Sequence, residues 1–222
     1  MSPSAGASYW DKLFAVFTRE DMRCDFWLQQ FDEIVQQCQT PIIDLGCGRG
    51  QDSLYLVERG KRVIACDYSQ NAIRQLRQRI DLEQALCFDM ADGLPFEDSF
   101  TDLILSDLSL HYFSEQTTKF ILGEIKRVLK PDGILLLRVN STEDVNYGAG
   151  QGTEIERNYY RTDDGRFKRF FDTDDIFHFF GDWEILHQAR EQSTRYGAPK
   201  ELWTLCLKPK LEKAGFPIGN QP

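Results

Sequence analysis

Positive charge is in short supply in this chain. Its 26 Lys and Arg residues are outnumbered by 35 Asp and Glu, a formal net charge of -9. Such a surface repels a phosphate backbone. The densest basic cluster, Arg74, Arg77 and Arg79, reads as the solvated face of a helix, so no nucleic-acid partner is expected. Histidine is scarce as well: His111, His178 and His187 lack metal-ligand spacing, and the six cysteines contain no CxxC pair, so no metal is expected. Cysteines scattered in this way read as reduced, buried thiols of a cytoplasmic protein. No apolar stretch approaches the roughly 18 residues of a membrane span. The opening "MSPSAGASYW" has neither a basic n-region nor an apolar h-region. The exclusions leave a cytoplasmic chain with a small-molecule partner, no membrane, and an oligomeric state the sequence does not specify.

What is present is alternation. At 222 residues the chain suits a single domain. Short apolar runs, "PIIDL" (41–45), "KRVIACD" (61–67), "EQALCFD" (83–89), "FTDLILSD" (100–107) and "ILLLRVN" (134–140), read as buried strands. Between them lie helices, the clearest over 114–130, where Ile121, Ile125, Val128 and Leu129 share one face. Pro131-Asp132-Gly133 is expected to turn the chain into the fifth strand. The segments 182–191 and 201–208 alternate with period two around Gly197-Ala198-Pro199, the pattern of a hairpin whose last strand runs antiparallel. Residues 1–40 read as helical cover, 141–171 as a lid or binding loop with a hairpin turn at Asp164-Gly165, and 211–222 as a tail.

The chemistry concentrates where the first strand ends. "DLGCGRG" delivers Asp44 into a turn of Gly46, Gly48 and Gly50. The dinucleotide fingerprint needs glycine where Gln51 stands, and the phosphate loop of nucleotide hydrolases needs a Lys that is absent. An acid two positions before the first glycine opposes a pyrophosphate and suits a cation. A ligand with an ammonium and a sulfonium and no phosphate, S-adenosylmethionine, meets that demand. Asp67, 21 residues after Gly46, can accept both ribose hydroxyls. Asp89, read as the end of the third strand, can accept from the adenine amino group while the Met90 backbone N–H donates to the ring.

On "DLGCGRG", "ACDYS", "CFDMA", "DLILSDLSLHYF", "LKPDGILLLRVN" and the terminal hairpin, the sequence resembles the class I S-adenosylmethionine-dependent methyltransferases over roughly residues 40–210, closest to the small bacterial tellurite-resistance-type, small-molecule branch. The resemblance implies an α/β, doubly wound Rossmann-like sheet of seven strands, order 3-2-1-4-5-7-6 with strand 7 antiparallel. It also implies that Asp44, Gly46 and Gly48 hold the methionine end, Asp67 the ribose, and Asp89 and Met90 the adenine. Tyr68 would pack on the adenine, Ser106 would reach the cofactor through its backbone, and Trp10 would cover it. The family's DNA-adenine branch carries an Asn/Asp-Pro-Pro-aromatic stretch where this chain has "SDLS", which argues against a nucleobase acceptor.

The expected activity is methyl transfer to a small molecule by in-line displacement, with His111, Tyr112, Arg138, Asn140 and Tyr147 as the substrate rim. His111 reads either as a base or orienting donor, or as a structural imidazole bonded to a carbonyl. Arg138 reads either as a contact for a polar or anionic group or as the partner of an acid. Two rivals stand beside this reading: a non-catalytic module that binds the adenosyl cofactor, and a nicotinamide-dependent oxidoreductase, which Gln51 and Asp44 both oppose.

Overall fold

The computed structural model describes Tyr9, Lys12, Leu13 and residues 26–210. Trp10, most of the expected helical cover and the tail 211–222 lie outside the described residues. Strand β1 (Ile42–Leu45) is followed by α2 (Gln51–Val57), β2 (Val63–Asp67), α3 (Gln70–Arg77), β3 (Gln84–Cys87), β4 (Thr101–Asp107), α4 (Glu115–Val128) and β5 (Leu129–Asn140). Helix α1 (Asp32–Gln37) and a 3₁₀ turn (Trp27–Phe31) precede them. Then come β6 (Thr153–Glu156), β7 (Tyr159–Arg161), β8 (Phe167–Arg169), α5 (Thr173–Phe180), β9 (Trp183–Ser193) and β10 (Lys200–Pro209).

The main sheet has seven strands in the order β3-β2-β1-β4-β5-β10-β9. Strands β1 to β5 pair in parallel, and β10 pairs antiparallel with both β5 and β9. This is the expected order with its reversed last strand. β1 and β2 are buried at every position, as strands covered on both faces must be. Ile43, Ile104, Leu135 and Leu137 meet Ile121, Leu122, Ile125 and Val128 of α4 on one face. Leu103, Leu105 and Leu136 meet Trp27, Leu28 and Val35 on the other. Each such side chain, fully buried, contributes about 1.5–3 kcal/mol.

Helix α4 starts because the Ser114 hydroxyl accepts from the Thr117 N–H, and Lys126 and Arg127 in its last turn suit its negative pole. Pro131-Asp132-Gly133 does not separate helix from strand as expected. β5 begins at Leu129, and the pairing with β4 jumps from Thr101–Leu129 to Leu103–Ile134, so the Pro-Asp-Gly residues form a bulge. The third strand is shorter than expected, ending at Cys87, because Asp89 already caps the 3₁₀ turn Met90–Asp92 through the Ala91 N–H. Cys38, Cys47, Cys66 and Cys206 are buried free thiols as expected, but Cys87 is exposed, since β3 lies at the sheet edge.

The long segment after β5 is not structureless. β6, β7 and β8 form a separate antiparallel sheet, and β7 and β8 are joined by a turn at Asp164-Gly165. This small sheet is tied down. The Tyr159 hydroxyl donates to the Tyr112 carbonyl (3.1 Å), and Glu156 accepts the Glu115 N–H at the start of α4 (2.8 Å) while pairing with buried Arg169. The lid is thereby anchored beside the carboxyl ends of the parallel strands.

Gly50, at φ +80° before α2, has no room for a side chain, since an added Cβ would lie 2.1 Å from Leu76 Cδ1. Gly60, at φ +74°, has open space around it. Gly50→Ala is expected to cost about 2–4 kcal/mol, backbone strain plus displacement of a buried Leu. Gly60→Ala should cost about 1–2 kcal/mol, from backbone strain alone. Urea midpoints of the two variants at unchanged m-value check the difference.

Candidate functional site

Open parallel sheets bind ligands outside the carboxyl ends of their strands, and here the polar side chains gather at that edge. The turn after β1 is tethered to β2: the Gly46 and Cys47 N–H groups both donate to the Cys66 carbonyl (2.8 and 2.9 Å). Gly46, at φ +81°, lies against β4's exit, where a Cβ would fall 2.3 Å from Ser109 Cβ and 3.7 Å from Met90 Cε. Only glycine brings the backbone this close. Ser109 holds the approach by donating to the Leu45 carbonyl (2.8 Å), and its hydroxyl bonds to that of Ser106 (2.7 Å). The Ser106 side chain thus belongs to the turn's support, and any contact with a cofactor falls to its backbone.

Asp44 is 2% exposed, and its carboxyl accepts a hydrogen bond from the Ser53 hydroxyl (2.5 Å). Among the described residues no cationic side chain pairs with it. Burial pushes the Asp44 carboxyl up to about 7, and the nearby Asp107 and Asp67 add to the rise. Asp52, which accepts from Trp27 Nε1 (3.1 Å), is driven well above the usual carboxylate range by burial, then by Asp107 and Asp44. Asp107 escapes this fate. Arg138 Nε and Nη2 donate to it at 2.7 and 3.0 Å and Arg195 at 2.9 Å, and against the upward pull of burial these two guanidinium groups hold it well below the usual range. The site therefore contains more buried acid than its own cations neutralise.

Asp67 pins the turn from the side. One oxygen accepts the Gly48 N–H (2.9 Å) and the other the Ser69 N–H (2.8 Å), while the Ser69 hydroxyl caps α3 at Ala72. Tyr68, half-buried, lies within electrostatic reach of Tyr112. Met90 meets the Gly46 turn through its methyl group, and Asp89 stands two residues past the third strand rather than at its end. Asp44, Gly46, Gly48, Asp67, Met90 and Ser106 thus converge around one turn, with Tyr68 and Asp89 flanking it. Trp10 is outside the described residues.

The expected substrate rim is rearranged by its neighbours. His111 is 2% exposed, and its Nδ1 has no hydrogen-bond partner. Burial, with Lys200 and Lys168 nearby, lowers it well below the ordinary imidazole range, so it does not titrate near neutral pH as expected but stays uncharged. The Tyr112 ring packs on it at 4.1 Å, and burial raises the Tyr112 phenol, keeping it protonated. Of the two readings of Arg138, the pairing with an acid is realised: it is bound to Asp107, with its guanidinium 4.7 Å from the Trp27 ring. Asn140, fully buried, donates weakly to the Arg169 carbonyl (3.5 Å), a tie between β5 and the lid. The Tyr147 hydroxyl donates to the Tyr196 and Ala198 carbonyls (2.8 and 3.0 Å), so it fastens the lid to the β9–β10 connection.

Sequence reasoning missed Lys168, Lys200, Asp52, Asp107, Ser109 and Arg195. Lys200 Nζ donates to buried Asp144 (2.6 Å) and lies 4.6 Å from the Tyr147 ring centroid. Lys168 Nζ donates to the Tyr147 carbonyl (3.2 Å). Both come from the lid and the final hairpin, far along the chain from the glycine turn, and no local spacing pointed to them. Asp52 and Asp107 were visible as acids flanking the glycine turn and ending the fourth strand. Among the described residues no His, Cys, Asp or Glu cluster could hold a metal ion, and no helix is long and apolar enough to cross a membrane.

Residues 43–137 match a family profile described as a methyltransferase domain. An uncharacterized methyltransferase of Synechocystis is 35% identical over 97 residues, 43% of this chain and 45% of that protein. The tRNA N(3)-methylcytidine methyltransferase Mettl2 of Drosophila melanogaster is 26% identical over 188 residues, 76% of this chain and 58% of that one. The chain thus spans about half the length of these curated relatives. A crystal structure of a SAM-dependent methyltransferase from Anabaena variabilis superposes with a TM-score of 0.68 at 17% identity, covering 93% of this chain and 94% of that one. The matched segment runs from the first strand to the fifth, and with the reversed terminal strand completing its sheet the chain has the fold of that SAM-dependent methyltransferase.

Proposed function

We propose that this chain transfers a methyl group from S-adenosylmethionine to a small-molecule acceptor in the cytoplasm. One observation carries the reading: Asp44 is a buried carboxyl beside a glycine turn, its pKa raised to about 7 by burial and by Asp107 and Asp67, with no cationic side chain among the described residues to pair with it. A buried acid of this kind is relieved by a ligand that brings its own positive charge and no phosphate. The residues present suit the cofactor. Asp44 and the Gly46–Gly48 turn would take its methionine end, Asp67 its ribose, Asp89 and Met90 its adenine with Tyr68 on the ring, and Ser106 would contribute backbone. When bound, the cofactor supplies a methyl group made electrophilic by its sulfonium.

The protein's own part is alignment and exclusion of water. His111, uncharged and buried with an unpartnered Nδ1, is suited to orient an acceptor through a hydrogen bond rather than to store a proton. Tyr112 packs beside it. Arg138, Asn140 and Tyr147 shape the rim from behind, through Asp107, the lid and the β9–β10 connection. A second reading, an RNA acceptor, draws support from the similarity to Mettl2 over most of this chain. The net charge of -9 opposes it.

Calorimetric titration with S-adenosylhomocysteine, with NADH in parallel, is expected to show one saturable site for the first and none for the second; the reverse overturns the proposal. Turnover of labelled methyl groups into bulk tRNA but not into a metabolite extract would replace the small-molecule acceptor with RNA. Asp67→Asn, which keeps one acceptor oxygen, should weaken S-adenosylhomocysteine binding about tenfold, or 1.4 kcal/mol, with the far-UV spectrum unchanged. Unaltered affinity would remove Asp67 from the ribose.

The raised Asp44 value sets a pH dependence. In the free protein the carboxyl ionises only as pH rises through about 7, and a cationic ligand binds the ionised form. Affinity for S-adenosylhomocysteine should therefore be about tenfold weaker at pH 6 than at pH 8, one pH unit being a factor of ten. Asp44→Asn should flatten that profile and lower its plateau. The sign for stability is opposite: folding favours protonated Asp44, so its contribution to the free protein is lost as pH rises from the ordinary aspartate range through about 7.

A further inference from the structure

Beyond the cofactor turn, the same rim holds a second unmatched charge, of the opposite sign. Four cationic or potentially cationic side chains come together where the lid sheet meets the final hairpin: Arg166, Lys168, Lys200 and His111. Two of the four are matched. Arg166 pairs with Asp164 (2.6 Å), and Lys200 pairs with buried Asp144 (2.6 Å). His111 is kept uncharged by burial and by the two lysines. Lys168 differs. It is half-buried on β8, its Nζ donates to the Tyr147 carbonyl, and among the described residues no carboxylate lies within ion-pair distance of it. Burial, then Lys200 and Arg166, lower its ammonium to about 8, against a smaller opposing pull from Asp144 and Asp164.

A cation left unmatched at a partly buried, crowded position is unusual in a chain with a net charge of -9, where acidic partners are abundant. Aromatic rings stand beside its two cationic neighbours. Tyr147 stands 4.6 Å and Tyr196 5.8 Å from Lys200 Nζ, and the ring of Tyr9 stands 4.2 Å from the Arg166 guanidinium. His111, with its orphaned Nδ1, packs on Tyr112, which lies within electrostatic reach of Tyr196, Arg166 and Tyr68.

Resting on the cofactor reading above, we propose that the methyl acceptor is a small carboxylic acid whose carboxylate is held by Lys168 and flanked by Lys200, with His111 Nδ1 as a neutral hydrogen-bond partner. One unmatched ammonium beside one neutral donor suits a monoanion. A phosphate dianion finds no second uncommitted cation there, as Lys200 and Arg166 are spent on Asp144 and Asp164. The aromatic rings suit a carboxylate carried on a flat or apolar body.

The test uses the full chain saturated with S-adenosylhomocysteine, after the cofactor's own affinity has been measured. Failure at that first step would overturn the cofactor reading rather than this one. Matched pairs of a carboxylate and its primary amide, from benzoate and phenylacetate to cinnamate and indole-3-acetate, are then screened by ligand-observed NMR. Carboxylates are expected to bind at least tenfold better than their amides. In Lys168→Met that preference should fall below twofold, while S-adenosylhomocysteine affinity is unchanged. Because Lys168 loses its proton above about 8, carboxylate affinity should be level from pH 6 to 7 and decline above pH 8. Asp164 and Arg166 keep their charge, and His111 stays neutral, across that range. Equal binding of amides, a preference surviving in Lys168→Met, or no carboxylate binding at millimolar concentration overturns the proposal. So does stronger binding of phenyl phosphate than of any carboxylate.

Discussion

A carboxyl group on the central strand, enclosed by the sheet and the first helix after it, is the constraint around which the site is arranged. Asp44 lies on β1 with Ser53 as its hydrogen-bond donor. Such a group is expensive to bury charged and of little use buried neutral. Its neighbours sharpen the difficulty, because Asp52, Asp67 and Asp107 all lie within electrostatic reach of it. The protein settles Asp107 with two guanidinium groups and leaves Asp44 and Asp52 raised by burial. Stability is thus given up at the place where a cation is to be bound.

The Asp107–Arg138–Arg195 cluster is the counterweight. It joins the end of β4, the end of β5 and the connection between β9 and β10, elements that meet only in the folded sheet. Removing one member of a buried ion pair costs about 3–5 kcal/mol because the other is left uncompensated. An arginine that looks free to meet a substrate is therefore committed to holding the rim in shape. The commitment of Tyr147 and Asn140 to the hairpin and the lid has the same character: side chains at the mouth of the site are used to fix the backbone around it.

The lid carries the third part of the design. A three-stranded sheet too small to be stable alone is fastened through Glu156 and Arg169 to the N-terminus of α4, and through Tyr159 to the carbonyl of Tyr112. Fixing it there brings Lys168 into electrostatic reach of buried His111.

The glycine turn and the acids around it were legible because their determinants are local. Asp44, Gly46, Gly48 and Gly50 lie within seven residues, and Asp67 and Asp89 follow successive strands at distances set by one strand and one helix each. Strand order was legible for the same reason, since apolar runs alternating with helices leave few ways to arrange a parallel sheet. The acceptor half was not legible. Whether Arg138 faces a ligand or an acid depends on Asp107 and Arg195, 31 and 57 residues away. Whether His111 titrates depends on how deeply it is buried and on Lys168 and Lys200. The sequence by itself determined the sheet, the glycine turn and the acids around it, because those follow from short-range periodicity and backbone geometry. Only the tertiary structure decided which charges are cancelled and which are left over, because Coulomb interaction and desolvation depend on distance and burial in space, and neither quantity is written in the order of the residues.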